Sequence, residues 1–277
     1  MNRNLIITDL HNDILTAGLP SGKMAKKLHE YKKHTIVCAV WTTRINNPSA
    51  FLHNNKPLSR LRAIEDLWFV TEDNLQSVAD FAPVYASLTW NHENNLAGGA
   101  YSKAGLKPLG RQVISFLENN KITLDLAHLN EKSFFDAAEY SSKPLICSHT
   151  CFSGIYIHPR NLTDIQIKSV IQSGGIIGLT LVPEFMGLKH AGIDDIIRQI
   201  DYFLSRFGYK HLVIGSDFYG AESLPLRNYA EFECLKNRLF KSGLPEEKID
   251  AVFYRNALDF LTEHNSHNNS LSITASN

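Results

Sequence analysis

NLIITDLHND, residues 4–13, is an apolar, strand-like run that stops at an imidazole and a carboxylate, His11 and Asp13. Four further segments end the same way: 122–127 at His128, 144–148 at His149, 211–216 at Asp217 and, more briefly, 62–64 at Glu65. An α/β barrel gathers side chains in this manner, because the loops leaving the C-terminal face of its strands converge on one cavity. Working outward, eight apolar runs read as strands: 5–9, 35–41, 62–65, 84–90, 122–127, 145–148, 175–182 and 211–216. Most are continuously apolar rather than alternating, which suits parallel strands covered on both faces. Helical patterns occupy 109–119, 164–172 and 194–207, with two more near 227–241 and 246–261. Thr163 and Gln166 have capping-box spacing, and Gly174 and Gly208 stand where helices stop. The fold class is therefore α/β: a (β/α)8 TIM barrel in a single domain over 1–264, followed by a polar tail at 265–277 that reads as disordered. The connection 42–60 is asparagine-rich and shows little helical periodicity. An open doubly wound sheet is the alternative architecture, but no glycine-rich fingerprint follows the first strand.

The charge balance narrows the function. Lysine plus arginine and aspartate plus glutamate number 28 each, so no bulk field draws nucleic acid or an anionic surface. No basic stretch interleaved with aromatics is present, and a nucleic-acid partner is excluded. No apolar run approaches the roughly 18 residues that would span a bilayer. The first thirteen residues meet acids and a histidine too early for a signal peptide, so the expected location is cytoplasmic, away from any membrane. Four cysteines without framework spacing agree with that. Cys147 and Cys151 flank His149 in a way that resembles a zinc knot, but Cys147 on a buried strand is better read as a free thiol. A homodimer is the base-rate expectation for assembly.

His11 and Asp13, spaced i and i+2 at a strand end, share one face and aim into the same cavity. Imidazole with carboxylate suits zinc or a similar divalent ion. His128 and His149 follow the fifth and sixth strands and form a second half-site on the rim. Asp217 follows Gly215 and Ser216, where the chain can bend as the strand ends; it is a metal ligand, a proton acceptor or a helix cap. Glu65 joins the set if its segment is a strand rather than a helix. Arg160 can grip a substrate carboxylate through a bidentate pair.

The ordered motifs DLHND (9–13), AIED (63–66), LTWNHENNLAGG (88–99), GLKPLGRQVI (105–114), LDLAHLNEKSF (124–134), SHT (148–150), HPRNLTD (158–164), GGIIGL (174–179) and GSDFYG (215–220) resemble those of the membrane (renal-type) dipeptidases. That family is peptidase M19 of the amidohydrolase superfamily. The resemblance implies a zinc-dependent dipeptidase that hydrolyses the amide of small dipeptides through a metal-bridging hydroxide. It implies two Zn2+ ions, one held by His11 and Asp13, the other by His128 and His149, with Glu65 bridging. It makes Asp217 the acid beside the bridging water and Arg160 the group that receives the C-terminal carboxylate. Two cations about 3.5–4 Å apart acidify a shared water and polarise the scissile carbonyl together. The chain departs from the family pattern at Trp90, which stands where the family has a substrate-contacting histidine; His92, two residues on, is the candidate replacement. Tyr219 stands where the family usually has an acid. The alternative function is a related binuclear amidohydrolase acting on another small carboxylate-bearing amide or lactam, and a third is a barrel kept only for binding.

Overall fold

Each of the eight apolar runs coincides wholly or in part with a strand. The computed structural model describes residues 5–54 and 61–264. In chain order the elements are β1 (Thr8–Asn12), α1 (Ser21–Glu30), β2 (Thr35–Trp41), α2 (Pro48–Asn54), β3 (Leu61–Glu65), α3 (Leu75–Phe81), β4 (Tyr85–Ser87), α4 (Pro108–Asn119), β5 (Thr123–Asp125), α5 (Glu131–Tyr140), β6 (Ile146–Thr150), α6 (Asp164–Gln172), β7 (Ile176–Leu179), α7 (Ile193–Phe207) and β8 (Leu212–Ile214). After β8 come α8 (Phe232–Lys241), α9 (Glu246–Asp250), a π-helical turn (Ala251–Arg255) and α10 (Asn256–His264). All strands are parallel and close in sequence order into one barrel. The chain is thus a (β/α)8 barrel, and its ligand-bearing strand ends face one mouth.

Alternation along the strands divides the core. Leu10, Val37, Ala39, Ala63, Tyr85, Ile146 and Val213 fill the interior together with Ala257, Phe260 and Leu261 of α10. The opposite strand faces pack under the surrounding helices. Asn256 fastens the approach to α10 by donating to the Tyr209 and Leu212 carbonyls at 2.6 and 2.8 Å.

The structure refines two expectations. The connection 42–60, which shows little helical periodicity in sequence, holds a short 3-10 turn (Thr42–Arg44) and α2 among its described residues. Helix α2 buries only Pro48 and Leu52, too few apolar positions to print a helical period. The first strand lies three residues later than its apolar run, so His11 and Asn12 belong to β1 itself. Residues 1–4 and the tail at 265–277 lie outside the described residues. Among those described, no helix is long and apolar enough to cross a membrane.

Candidate metal centre

The register of the barrel slips in two places, between Asp9 and Asn12 of β1 and between Cys147 and Thr150 of β6. These irregularities flank His11 and His149. A bulge re-aims a side chain that regular pleating would send to the wrong face. His128 and Asp217 are brought in by backbone strain: both are non-glycine residues at positive φ, 69° and 62°. Such conformations cost about 1–3 kcal/mol each and persist only where the surroundings over-determine them.

The result is one buried cluster. Glu65 stands in its middle, with Oε2 3.8 Å from His11 Nε2 and Oε1 2.7 Å from His128 Nε2 and 3.7 Å from His149 Nε2. His128 Nε2 and His149 Nε2 are 2.9 Å apart. Asp13 Oδ2 is 3.3 Å from His11 Nε2. Donor atoms of His11, Glu65 and His149 lie within 4.8 Å of one another, and so do those of His11, Asp13 and Asp217. The two oxygens of Glu65 therefore face two half-sites. The structure brings together all six acids and imidazoles singled out from the sequence.

Hydrogen bonds behind the cluster select the tautomer of each histidine. Tyr85 Oη donates to the Leu10 carbonyl at 2.8 Å, so its lone pair accepts from His11 Nδ1 at 2.9 Å. Asn91 Oδ1 accepts from His128 Nδ1 at 2.8 Å. Ser148 Oγ donates to Asp125 Oδ2 at 2.5 Å and accepts from His149 Nδ1 at 2.8 Å. In all three rings the Nδ1 hydrogen is engaged, which presents the Nε2 lone pair to the cluster, as metal-ligating histidines require.

The electrostatics fit a site for a cation. His11 Nε2 and both carboxylate oxygens of Asp13 are buried without a hydrogen-bond partner. Burial depresses His11, but Asp13, Glu65 and Asp217 outweigh it and hold the ring up at about 10. Glu65 is pushed well above the usual carboxylate range by burial and by Asp13. Asp217 is pushed up to about 7 by the same two causes. Burial, with Arg160 and His11, drives His128 and His149 well below the usual imidazole range. Burial and like charge thus work against the charged forms of these acids, an imbalance that a divalent cation would relieve, and carboxylate–imidazole donors suit an ion such as zinc.

Above the cluster is a cavity of about 160 Å3, lined among others by Trp41, Trp90, Arg160, Phe185 and Gly220. Arg160 is buried, donates through Nη2 to the His149 carbonyl at 3.1 Å, and keeps Nε without a partner. Gly220 closes one side: a Cβ there would lie 2.0 Å from Asp217 Oδ1 and 2.3 Å from Asp13 Oδ2. Trp90 lines the cavity, but His92 does not; it is exposed, its ring 6.1 Å from Trp90 and 6.3 Å from Tyr101. The structure turns Trp90, and not His92, toward the cavity. Cys147 and Cys151 are buried free thiols, and neither belongs to a donor cluster among the described residues.

Sequence reading missed a supporting layer. Asp9 accepts from the Ser216 amide at 2.8 Å and hydroxyl at 2.5 Å, and from Tyr229 Oη at 2.5 Å. Asp125 accepts from the Ser148 amide at 2.9 Å as well as from its hydroxyl. Both acids interrupt apolar strands shortly before a ligand, Asp9 before His11 and Asp125 before His128. An acid on a strand buried on both faces must have partners, and that was the available signal.

A barrel with this donor set at its mouth is built to hold metal ions. The model of the membrane dipeptidase family, peptidase family M19, matches residues 70–273, and the chain belongs to that family. It is a metallohydrolase. His11, Asp13 and Glu65 precede the matched span, so their placement rests on the structure. An uncharacterized protein in the pqqA 5′ region of Klebsiella pneumoniae is 32% identical over 187 residues, covering 62% of this chain and 69% of that one. An uncharacterized dipeptidase of Schizosaccharomyces pombe is 27% identical over 219 residues, covering 75% of this chain and 53% of its own length. The dipeptidase tcpJ of Claviceps purpurea is 26% identical, with 65% and 44% covered. The chain thus spans about half the length of these two dipeptidases. Among solved structures, the metallopeptidase dipeptidase AC of family M19 shares the fold at a TM-score of 0.81 and 20% identity, covering 95% of this chain and 99% of that one.

Proposed function

We propose that the protein is a binuclear zinc dipeptidase. The observation that carries the reading is the two-sided arrangement around Glu65, with partnerless ligand atoms below and the partly unpaired Arg160 guanidinium beside the same cavity. His11 and Asp13 would hold one ion, His128 and His149 the other, and Glu65 would bridge them. Bound zinc supplies Lewis-acid polarisation of the scissile carbonyl and lowers the pKa of water at the site.

The chain's own residues supply the rest. Arg160 offers its guanidinium to the substrate carboxylate, with the group 5.3 Å from the centroid of Phe185. A buried guanidinium recognises a carboxylate strongly, and its fixed position limits how much peptide fits between it and the cluster. Asp217, adjacent to Asp13, accepts a proton from the attacking water and returns it to the amine nitrogen as the C–N bond breaks. The water oxygen ends on the acyl carbon, and the two products are free amino acids. The cavity, about 160 Å3 with the half-buried Trp41 and Trp90 in its wall, suits a short peptide rather than a long one.

Zinc content per chain, measured with cleavage of a dipeptide panel before and after chelation, tests the reading. Two ions and chelator-sensitive cleavage are expected. One ion would remove the bridging role of Glu65. Two ions without dipeptide cleavage would move the function to another carboxylate-bearing amide or lactam.

A further inference from the structure

The cavity has a wall that the proposed chemistry leaves unused. Trp41 is the last residue of β2, and Trp90 follows β4 by three positions. Their ring centroids are 5.2 Å apart at 40°, and Trp90 lies 6.0 Å from His128. Both indoles are only half-buried and both line the cavity. Trp41 is held in place: its Nε1 donates to Thr43 Oγ1 at 3.1 Å, and the Arg44 guanidinium lies 3.9 Å from its ring centroid. Arg44 in turn donates to the Tyr219 and Gly220 carbonyls, tying this wall to the loop after β8.

Barrel order places the wall relative to Arg160. Strands β2 to β4 lie across a closed eight-stranded barrel from β6 to β8. Trp41 and Trp90 therefore face Arg160 and Phe185, which leave β6 and β7, with the ligand cluster between them. A dipeptide whose carboxylate sits on Arg160 directs its carboxylate-bearing residue to one side of the cluster. Its acyl residue then points to the other, against the two indoles. Paired aromatic faces take up flat or bulky apolar groups and gain little from a hydrogen.

We infer that Trp41 and Trp90 form the specificity wall for the N-terminal residue, selecting dipeptides with an aromatic or large apolar side chain there. The inference rests on the dipeptidase reading and deepens it. The zinc-loaded protein is assayed on Phe-Ala, Leu-Ala and Gly-Ala, which keep the carboxylate-bearing residue constant. A preference for Phe-Ala over Gly-Ala of about tenfold or more in kcat/KM is expected, carried mainly by KM. In Trp41→Ala/Trp90→Ala the ratio falls to within about threefold, and Trp90→Phe retains most of it. An unchanged ratio in the double variant overturns the inference. An equal loss on Phe-Ala and Gly-Ala also overturns it, because the indoles would then hold the ammonium or backbone common to both substrates. If no dipeptide is cleaved, the dipeptidase reading falls and this inference falls with it; cleavage with a flat ratio refutes the wall alone.

Discussion

Replacing Asp125 with Asn keeps the shape of the side chain and reverses one hydrogen bond. Oδ1 of Asp125 accepts from the Ala127 and Ser148 amides at 3.0 and 2.9 Å, so the amide oxygen of Asn occupies that position. The amide nitrogen then faces Ser148 Oγ, 2.5 Å from Oδ2 in the parent. Ser148 must now accept there, and its own hydrogen turns to His149 Nδ1, 2.8 Å away. That forces His149 to carry its proton on Nε2, the nitrogen that would hold the metal. Losing a charged hydrogen bond costs about 1.5–3 kcal/mol in the metal-free protein. Disturbing such an orienting partner weakens metal binding by about 10–100-fold, or roughly 1.4–2.7 kcal/mol. Competitive zinc titration against a chromophoric chelator, with thermal unfolding in excess chelator, separates the two effects. Ser148→Ala should weaken zinc to a similar degree, and the double variant should be no worse than either single one, because the residues act in one relay. Ser133→Ala is the control: its hydroxyl is buried and bonded to the Ala104 carbonyl and the Gly98 amide, away from the ligands, so stability falls and zinc affinity holds. Zinc affinity of Asp125→Asn within about twofold of the parent would refute the tautomer argument.

Gly220→Ala places a methyl against Asp217 and Asp13, so zinc per chain should drop below two and kcat by about 100-fold or more, checked by metal analysis and rate. Arg160→Lys keeps the charge but loses the planar fork; KM for dipeptides should rise by about 10–100-fold with a smaller change in kcat, and an unchanged KM would deny it the carboxylate. His34 accepts from the Ile7 amide at 3.2 Å, and burial, with Lys33 nearby, depresses it from 6.5 to about 4. The folded state then binds fewer protons than the unfolded chain in that window, so its stabilising contribution is complete above pH 6.5 and lost as pH falls toward 4. After discounting for partial exposure this amounts to about 1–2 kcal/mol. Unfolding midpoints of parent and His34→Asn, both in chelator, should diverge across pH 6.5 to 4, and parallel curves would deny His34 the role.

The barrel was legible because parallel strands covered on both sides must be apolar along their whole length. The ligands were legible for the complementary reason: each polar group stands abruptly at the end of such a run. Helix α2 was not, because a short helix with two buried positions shares its composition with a loop. Spacing along a loop says nothing about which side chain turns inward: Trp90 lines the cavity and His92 is exposed. Asp9 and Asp125 escaped attention because each looks like a stray acid until the neighbouring strand supplies its serine. Trp41 read only as the end of an apolar strand, and its role at the mouth depends on packing with Trp90 across a strand between them.

The supporting acids also answer a problem of the barrel itself. Strand β1 is registered with β8 at one pair, Asp9 with Ile214, and β5 with β6 at one pair, Asp125 with Ile146. These are the thinnest seams in the closed sheet, and thin seams leave backbone amides short of partners. In each seam an aspartate on one side accepts both the amide and the hydroxyl of a serine on the other: Asp9 with Ser216, Asp125 with Ser148. The clasp supplements the sparse backbone pairing, which in the β1–β8 seam resumes at the Asn12–Phe218 bridge. Each serine immediately precedes a site residue, Asp217 or His149, and each aspartate lies two or three positions before His11 or His128. Hydrogen-bonded closure of the barrel and orientation of the cluster are thus performed by the same four side chains. Weakening a clasp should consequently reach the metal site as readily as it reaches the fold, which a remote serine such as Ser133 cannot do.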